Sequence, residues 1–248
     1  MSERGWALVT GASQRIGAAL ALTAARVGYD VIVHHRASPA EAGETARRIE
    51  AMGRKSAVAA ADLADPGACQ RLIVGAPGRL TLLVNCASVF ENDSAETLDL
   101  AGYEAAMAVN LRAPLILAKT MATALSAEDK GLIVNITDQR VWRLTPKYFS
   151  YTLSKAALWT ATQTLAQALA PRIRVNAIGP GPTLASPHQS PSAFASQAAA
   201  VPLAHGPTPD DIAGALAYLI DAPSVTGQMI AVDGGQHLAW RTPDVVDD

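Results

Sequence analysis

Seven short apolar runs alternate with longer segments of helical periodicity along this chain. No other feature constrains the fold so tightly. The runs are Ala7–Val9, Asp30–His34, Ser56–Ala60, Leu80–Asn85, Gly131–Thr137, Ile173–Ile178 and Met229–Val232. Between them, helical spacing covers Ile16–Val27, Ala40–Met52, Gly67–Gly75, Ala101–Ala124, Tyr151–Ala170 and Asp210–Asp221, the last with Pro209 near its start. Strands that are almost wholly apolar are buried on both faces, which requires a parallel sheet covered by helices. The alternation therefore predicts an α/β chain: a single doubly wound, Rossmann-type parallel sheet of about seven strands with helices on both faces. With half of its 248 residues hydrophobic, the chain can bury such a core. One domain is expected over 1–240, followed by a polar tail at 241–248.

Other bulk features exclude function classes. The formal net charge is -2 and no basic cluster marks a nucleic-acid footprint. No apolar run approaches a membrane span, and the first apolar stretch is too short for a signal peptide. Cys69 and Cys86 form no spacing framework and read as free thiols. A soluble, cytoplasmic protein is expected, with no residue assigned to a metal. The stretch from Gly179 to Pro209 breaks the rhythm with seven prolines and has no clear element. It follows a strand's carboxyl end, so a substrate lid over 182–208 is preferred to a passive surface excursion.

The first strand runs into Thr10-Gly11-Ala12-Ser13-Gln14-Arg15-Ile16-Gly17 and then a helix. Gly11 permits the tight turn, Gly17 allows close helix–strand packing, and the helix N-terminus offers N–H groups to a pyrophosphate. The middle glycine of the usual fingerprint is replaced by Arg15, a cation beside the expected phosphates. The second strand ends in His34-His35-Arg36-Ala37-Ser38, with no acid to accept from a ribose 2′-hydroxyl. Arg36 and Ser38 suit a 2′-phosphate, so NADP(H) is the expected cofactor; the alternative makes Arg36 a solvated loop charge. Asp62, followed by Leu63, either reaches the adenine amino group or caps the next turn.

Tyr151 and Lys155 stand four apart, one turn of a helix, on one face. A fixed positive charge there favours the phenolate, and the pair is expected to lower the tyrosine pKa toward neutral pH, where it serves as a general acid or base.

With Thr10-Gly11, Gly17, Asn85-Cys86-Ala87, Asn110, Tyr151-x-x-x-Lys155, Pro180-Gly181 and Asp233-Gly234-Gly235 in this order, the chain resembles the short-chain dehydrogenase/reductase family over nearly its whole length. The resemblance implies a nicotinamide cofactor and a homotetramer or homodimer, built through the Ala101–Ala124 and Tyr151–Ala170 helices. Alanines 156, 157, 161 and 168 would face a partner or the sheet. It implies that Tyr151 donates the proton and that Lys155 binds the nicotinamide ribose and lowers the Tyr151 pKa. Asn110 would hold a water in a proton relay. Gly11, Arg15, Ile16, Gly17, His35, Arg36, Ser38, Asp62, Leu63, Asn85, Ala87, Ser88, Pro180 and Gly181 would contact the cofactor.

Most members of that family carry a serine where this chain has Asp138. An ionised aspartate only accepts hydrogen bonds. It would repel a developing alkoxide unless it were kept protonated, and it suits a C=N bond that is protonated at nitrogen. Together with Arg15, His34-His35-Arg36, Ser38, Ser88 and Phe90, Asp138 resembles the pteridine reductase branch, which includes short-chain dihydromonapterin and dihydrofolate reductases. Arg15, Ser88, Phe90, Asp138 and Tyr151 would then meet a pterin, with Phe90 stacking on its ring. The alternatives make Phe90 a core aromatic and Asp138 a cap. At the level of function they are a carbonyl reductase, such as a 3-oxoacyl carrier-protein reductase, and a non-catalytic NADP(H)-sensing protein.

Overall fold

The computed structural model describes residues 4–186 and 189–240; the expected tail and positions 187 and 188 lie outside them. The described chain forms one seven-stranded, wholly parallel sheet in the order β3-β2-β1-β4-β5-β6-β7. The strands are β1 (Trp6–Val9), β2 (Asp30–His35), β3 (Ser56–Ala60), β4 (Leu80–Asn85), β5 (Gly131–Ile136), β6 (Ile173–Pro180) and β7 (Met229–Val232). The helices are α1 (Arg15–Arg26), α2 (Pro39–Ala51), α3 (Pro66–Val74), α4 (Leu100–Met107), α5 (Ala113–Ala124), α6 (Phe149–Leu169), α7 (Pro191–Ala199) and α8 (Pro209–Asp221).

Successive side chains of a strand point to opposite faces, and along the five inner strands both faces are buried. Ala7 and Val9 of β1, Val31 and Val33 of β2 and Leu82 and Val84 of β4 join one core with Leu20 of α1, Ile49 of α2 and Leu216 of α8. Leu8, Ile32 and Leu83 point the other way, into a second core with Leu72 of α3 and Leu117 and Met121 of α5. Continuous apolar strands are the sequence signature of this arrangement. Among the described residues no helix is long and apolar enough to cross a membrane.

The strand order reverses between β1 and its neighbours β2 and β4, which opens a crevice at their carboxyl ends. The backbone approach there tolerates no side chain. A Cβ on Gly11 would lie 3.0 Å from the Ala87 Cα, and one on Gly17 only 2.0 Å from the Gly11 carbonyl oxygen.

Two departures from the periodicity stand out. The segment Ala101–Ala124, read as one helix, is α4 and α5 joined by a π-helical turn over Ala108–Arg112. Pro114 has no N–H to offer the carbonyl of Asn110, and the helix widens around the gap. The stretch 179–209, read as lacking an element, contains α7, capped by the Ser190 hydroxyl on the Ala193 N–H. Periodicity missed α7 because it has no buried residue.

His34 ties three parts of this region together. Its Nδ1 accepts from the Gly11 N–H at 3.1 Å, so Nε2 carries the hydrogen and donates to the Ala61 carbonyl at 3.1 Å. Burial lowers its pKa to about 4. The unfolded chain therefore binds a proton that the folded chain refuses, and stability falls as pH drops from about 6.5 to about 4. The full effect is on the order of 3 kcal/mol. Urea unfolding at pH 7 and pH 5 should show this slope in the parent chain and a markedly smaller one in His34→Gln.

Candidate active site

The site is assembled from the ends of β1, β4, β5 and β6 and from one face of α6. At the end of β1, the Thr10 hydroxyl accepts from the backbone N–H groups of Cys86 and Ala87 at 2.9 and 3.1 Å. This clamps the loop after β4 to the glycine turn. No side chain caps α1, whose N-cap is Gln14, so its first N–H groups stay available to an anion. Arg15 adopts a φ of 56°, in the left-handed region where the family pattern has glycine. Its guanidinium donates to the carbonyls of Leu184 and Ala185 at 3.3 and 2.9 Å, drawing the segment after β6 over the turn.

At the end of β2, His35 is buried and its Nδ1 accepts from the Ser38 N–H at 3.2 Å. Arg36 is exposed and its side chain has no partner among the described residues. An exposed guanidinium with free donors and an uncapped helix N-terminus suit the charged groups of a phosphorylated dinucleotide. After β3, Asp62 makes a local contact: its Oδ1 accepts from the Ala64 N–H at 2.9 Å. The Leu63 side chain is buried in the second core. After β6, the Gly181 N–H donates to the Val232 carbonyl at 2.9 Å, and a Cβ on Gly181 would lie 2.5 Å from the Asp233 Cα.

Asn110 sits in the π-helical turn with its side chain fully engaged. Its Oδ1 accepts from the Val89 N–H at 2.8 Å and the Ser88 hydroxyl at 3.1 Å, while its Nδ2 donates to the Val89 carbonyl at 2.9 Å and the Ser154 hydroxyl at 3.0 Å. The side chain thus fixes the 88–89 loop to α6, and any water held at this residue must use its carbonyl. Asn85 donates to Asn135 at 2.8 Å, which donates to Thr162 at 2.9 Å, so β4 is stitched through β5 to α6.

The chemical groups converge on α6. The Tyr151 hydroxyl donates to Asp138 Oδ2 at 2.9 Å, and the Lys155 Nζ lies 5.6 Å from the Tyr151 ring centroid. Asp138 also serves the capping role held as its alternative, because its Oδ1 accepts from the Arg140 N–H at 2.8 Å and closes the 3₁₀ turn Gln139–Val141. Arg140 contributes a guanidinium 3.1 Å from Asp138 Oδ2. Phe90 is no core aromatic. It is half-buried at the site, stacked on Tyr148 with centroids 4.5 Å apart and edge-on to Tyr151 at 4.6 Å. The Arg140 guanidinium lies 5.1 Å from the Tyr148 centroid and 5.7 Å from that of Phe90. One face of the ring expected to stack on substrate therefore already carries Tyr148.

The expected direction of the Tyr151 pKa is reversed. Burial, and then the negative charge and hydrogen bond of Asp138, hold it well above the usual tyrosine value. Lys155 fails to reverse this because its Nζ donates to the Ile136 carbonyl at 2.7 Å rather than to the phenol. Burial lowers the Lys155 pKa to about 8. A phenol that holds its proton at neutral pH is in the form that a proton donor requires.

Three contributors escaped the sequence reading: Arg140, Tyr148 and Asp93. Asp93 lies in the loop after β4 and receives the first N–H groups of α6. Its carboxylate accepts from the Ser150 N–H at 3.1 and 3.2 Å and from the Ser150 hydroxyl, and its carbonyl accepts from the Phe149 N–H at 3.3 Å. The signal available was an aspartate beside a lone aromatic, but capping from a distant loop leaves no spacing in the sequence. Asp93→Ala should lower stability by about 1–2 kcal/mol in urea unfolding. It should also reduce turnover, since Tyr151 is the next residue after Ser150.

The profile described as enoyl-(acyl carrier protein) reductase matches residues 11–237. An uncharacterized oxidoreductase of Methylorubrum extorquens is 35% identical over 240 residues, spanning 92% of this chain and 96% of its own. The 3-oxoacyl-[acyl-carrier-protein] reductase of Synechocystis sp. is 30% identical over 236 residues, spanning 92% and 95%. Among solved structures, the FolM alternative dihydrofolate reductase 1 from Brucella canis, complexed with NADP, is similar with a TM-score of 0.94 and 48% identity over 99% of each chain.

Proposed function

We propose, for a chain that belongs to the short-chain dehydrogenase/reductase family, NADPH-dependent reduction of a C=N bond in a pterin of the dihydropterin or dihydrofolate type. The observation that carries this reading is the Tyr151 hydroxyl on the Asp138 carboxylate, 2.9 Å away. A carboxylate at this position disfavours an alkoxide and suits a nitrogen that takes a proton. The alternative dihydrofolate reductase of Brucella canis, 48% identical, supports the same substrate class.

Gly11, Ile16, Gly17, Asn85, Ala87, Pro180 and Gly181 would shape the cofactor crevice, and Arg36 and Ser38 would meet the 2′-phosphate. When bound, NADPH supplies a hydride to the carbon of the C=N bond. Tyr151 gives the hydroxyl proton to the nitrogen, and the electron pair of the broken O–H bond stays on the phenolate oxygen. Lys155 places a positive charge 5.6 Å from the ring and offsets part of the charge that develops there. Phe90, Ser88 and Arg15 would line the substrate side, and the segment 182–208, of which positions 187 and 188 lie outside the described residues, would act as a lid over it.

NADPH oxidation with dihydrobiopterin, dihydrofolate and an acetoacetyl thioester in parallel tests this reading. Turnover of a pterin is expected. Turnover of the thioester alone would replace the reading with carbonyl reduction, the activity named for the Synechocystis relative. Asp138→Ser should lose most pterin turnover, and full retention would remove the reason for a C=N substrate. Arg36→Ala should raise KM for NADPH about tenfold or more and leave that for NADH nearly unchanged. Equal use of both cofactors by the parent chain would sink the 2′-phosphate role.

A further inference from the structure

We propose that Arg140 is the positioning residue that makes an aspartate workable beside the proton-donating tyrosine, by holding the Asp138 carboxylate in place and supplying the second positive charge of the site. This rests on the reading of Asp138 and Tyr151 as the proton-delivering pair. Arg140 meets Asp138 twice, through its backbone N–H on Oδ1 and its guanidinium on Oδ2, so the carboxylate is held at both oxygens before the tyrosine hydroxyl joins Oδ2. The guanidinium side chain is itself largely buried, with its Cζ 5.1 and 5.7 Å from the ring centroids of the stacked Tyr148 and Phe90.

Charge counting explains the need. With a serine in place of Asp138, Lys155 alone balances the phenolate left after donation. Here donation leaves two negative groups, Tyr151 and Asp138, sharing a 2.9 Å contact in a buried site. Lys155 balances one of them and Arg140 the other, so the cluster ends neutral rather than carrying an unpaired buried negative charge. The charged and titratable groups that face Tyr151 are Asp138 and Arg140 from the turn after β5, Cys86 from the end of β4, and Lys155 of its own helix. Among these, Arg140 lowers the Tyr151 pKa while burial, Asp138 and Cys86 raise it.

Two readouts test the role. The first is titration of the Tyr151 phenolate by difference absorbance in the NADP-loaded protein, with Tyr151→Phe as the blank. The second is kcat and KM for dihydropterin reduction across pH. Arg140→Gln should move the phenolate ionisation upward and lower kcat about tenfold or more, with a smaller change in KM. Arg140→Lys keeps the charge and should restore most of both. In a protein already carrying Asp138→Asn, the further change Arg140→Gln should cost little, because the charge that it balances is gone. An unmoved phenolate ionisation in Arg140→Gln overturns the proposal, as does an equal loss from Arg140→Gln in the parent chain and in the Asp138→Asn variant. If Arg140→Gln fails to fold, an Arg140→Lys protein with a strongly raised phenolate ionisation overturns it instead. The titration needs no substrate, so a parent chain that reduces no pterin would defeat the substrate reading and leave this test standing.

Discussion

Asp93, whose carboxylate receives the Ser150 N–H and whose carbonyl receives the Phe149 N–H at the start of α6, is the tie on which the rest of the site depends. It joins the loop after β4, which is clamped to the glycine turn through Cys86 and Ala87, to the helix that carries Tyr151 and Lys155. Tyr148, the N-cap residue, takes a left-handed φ of 56° and gives α6 no side-chain cap of its own. The helix therefore takes its cap from another part of the chain. Asn110 makes a second such tie from the widened turn before α5, reaching both the 88–89 loop and Ser154 on α6. The two ties fix the loop after β4 against the helix that carries the tyrosine.

The electrostatics of the site follow from burial more than from proximity of opposite charges. Tyr151 is pushed upward by loss of water and by Asp138, and Lys155 is pushed down to about 8 by the same loss. Each group is thus nearer to its neutral form than it would be in water. Such a site resists charge separation in the resting state and needs compensating charges at the moment of transfer. In the proposed reaction that need would be met from two directions, by Lys155 from within the helix and by Arg140 from the turn after β5.

What could be read from the sequence was whatever repeats or whatever glycine forces. All seven strands lie within a residue or two of their expected ends: the five inner strands are buried and mostly apolar, and the partly exposed edge strands β3 and β7 are short apolar runs between turns. The turn around Gly11 and Gly17 was legible because their Cβ atoms would collide with the backbone. The widened turn at Asn110 was hidden by helical spacing that continues on both sides of it, although Pro114 was the clue. Tyr148, Arg140 and Asp93 act through contacts between loops, and such contacts have no period. The sign of the Tyr151 shift was misread because a spacing of four reports that two side chains share a helix face. It does not report that the lysine turns to a backbone oxygen and the phenol to a carboxylate.

The partner that Lys155 chooses has a consequence for how this protein can change over time. Its ammonium donates to the carbonyl of Ile136, an atom that every residue at that position possesses. Replacing Ile136 leaves the acceptor in place, provided the strand keeps its path. The lysine's position is therefore inherited from the sheet and not from any neighbouring side chain. Substitutions can drift through the pocket and alter what it accepts while this one cation stays where the backbone keeps it.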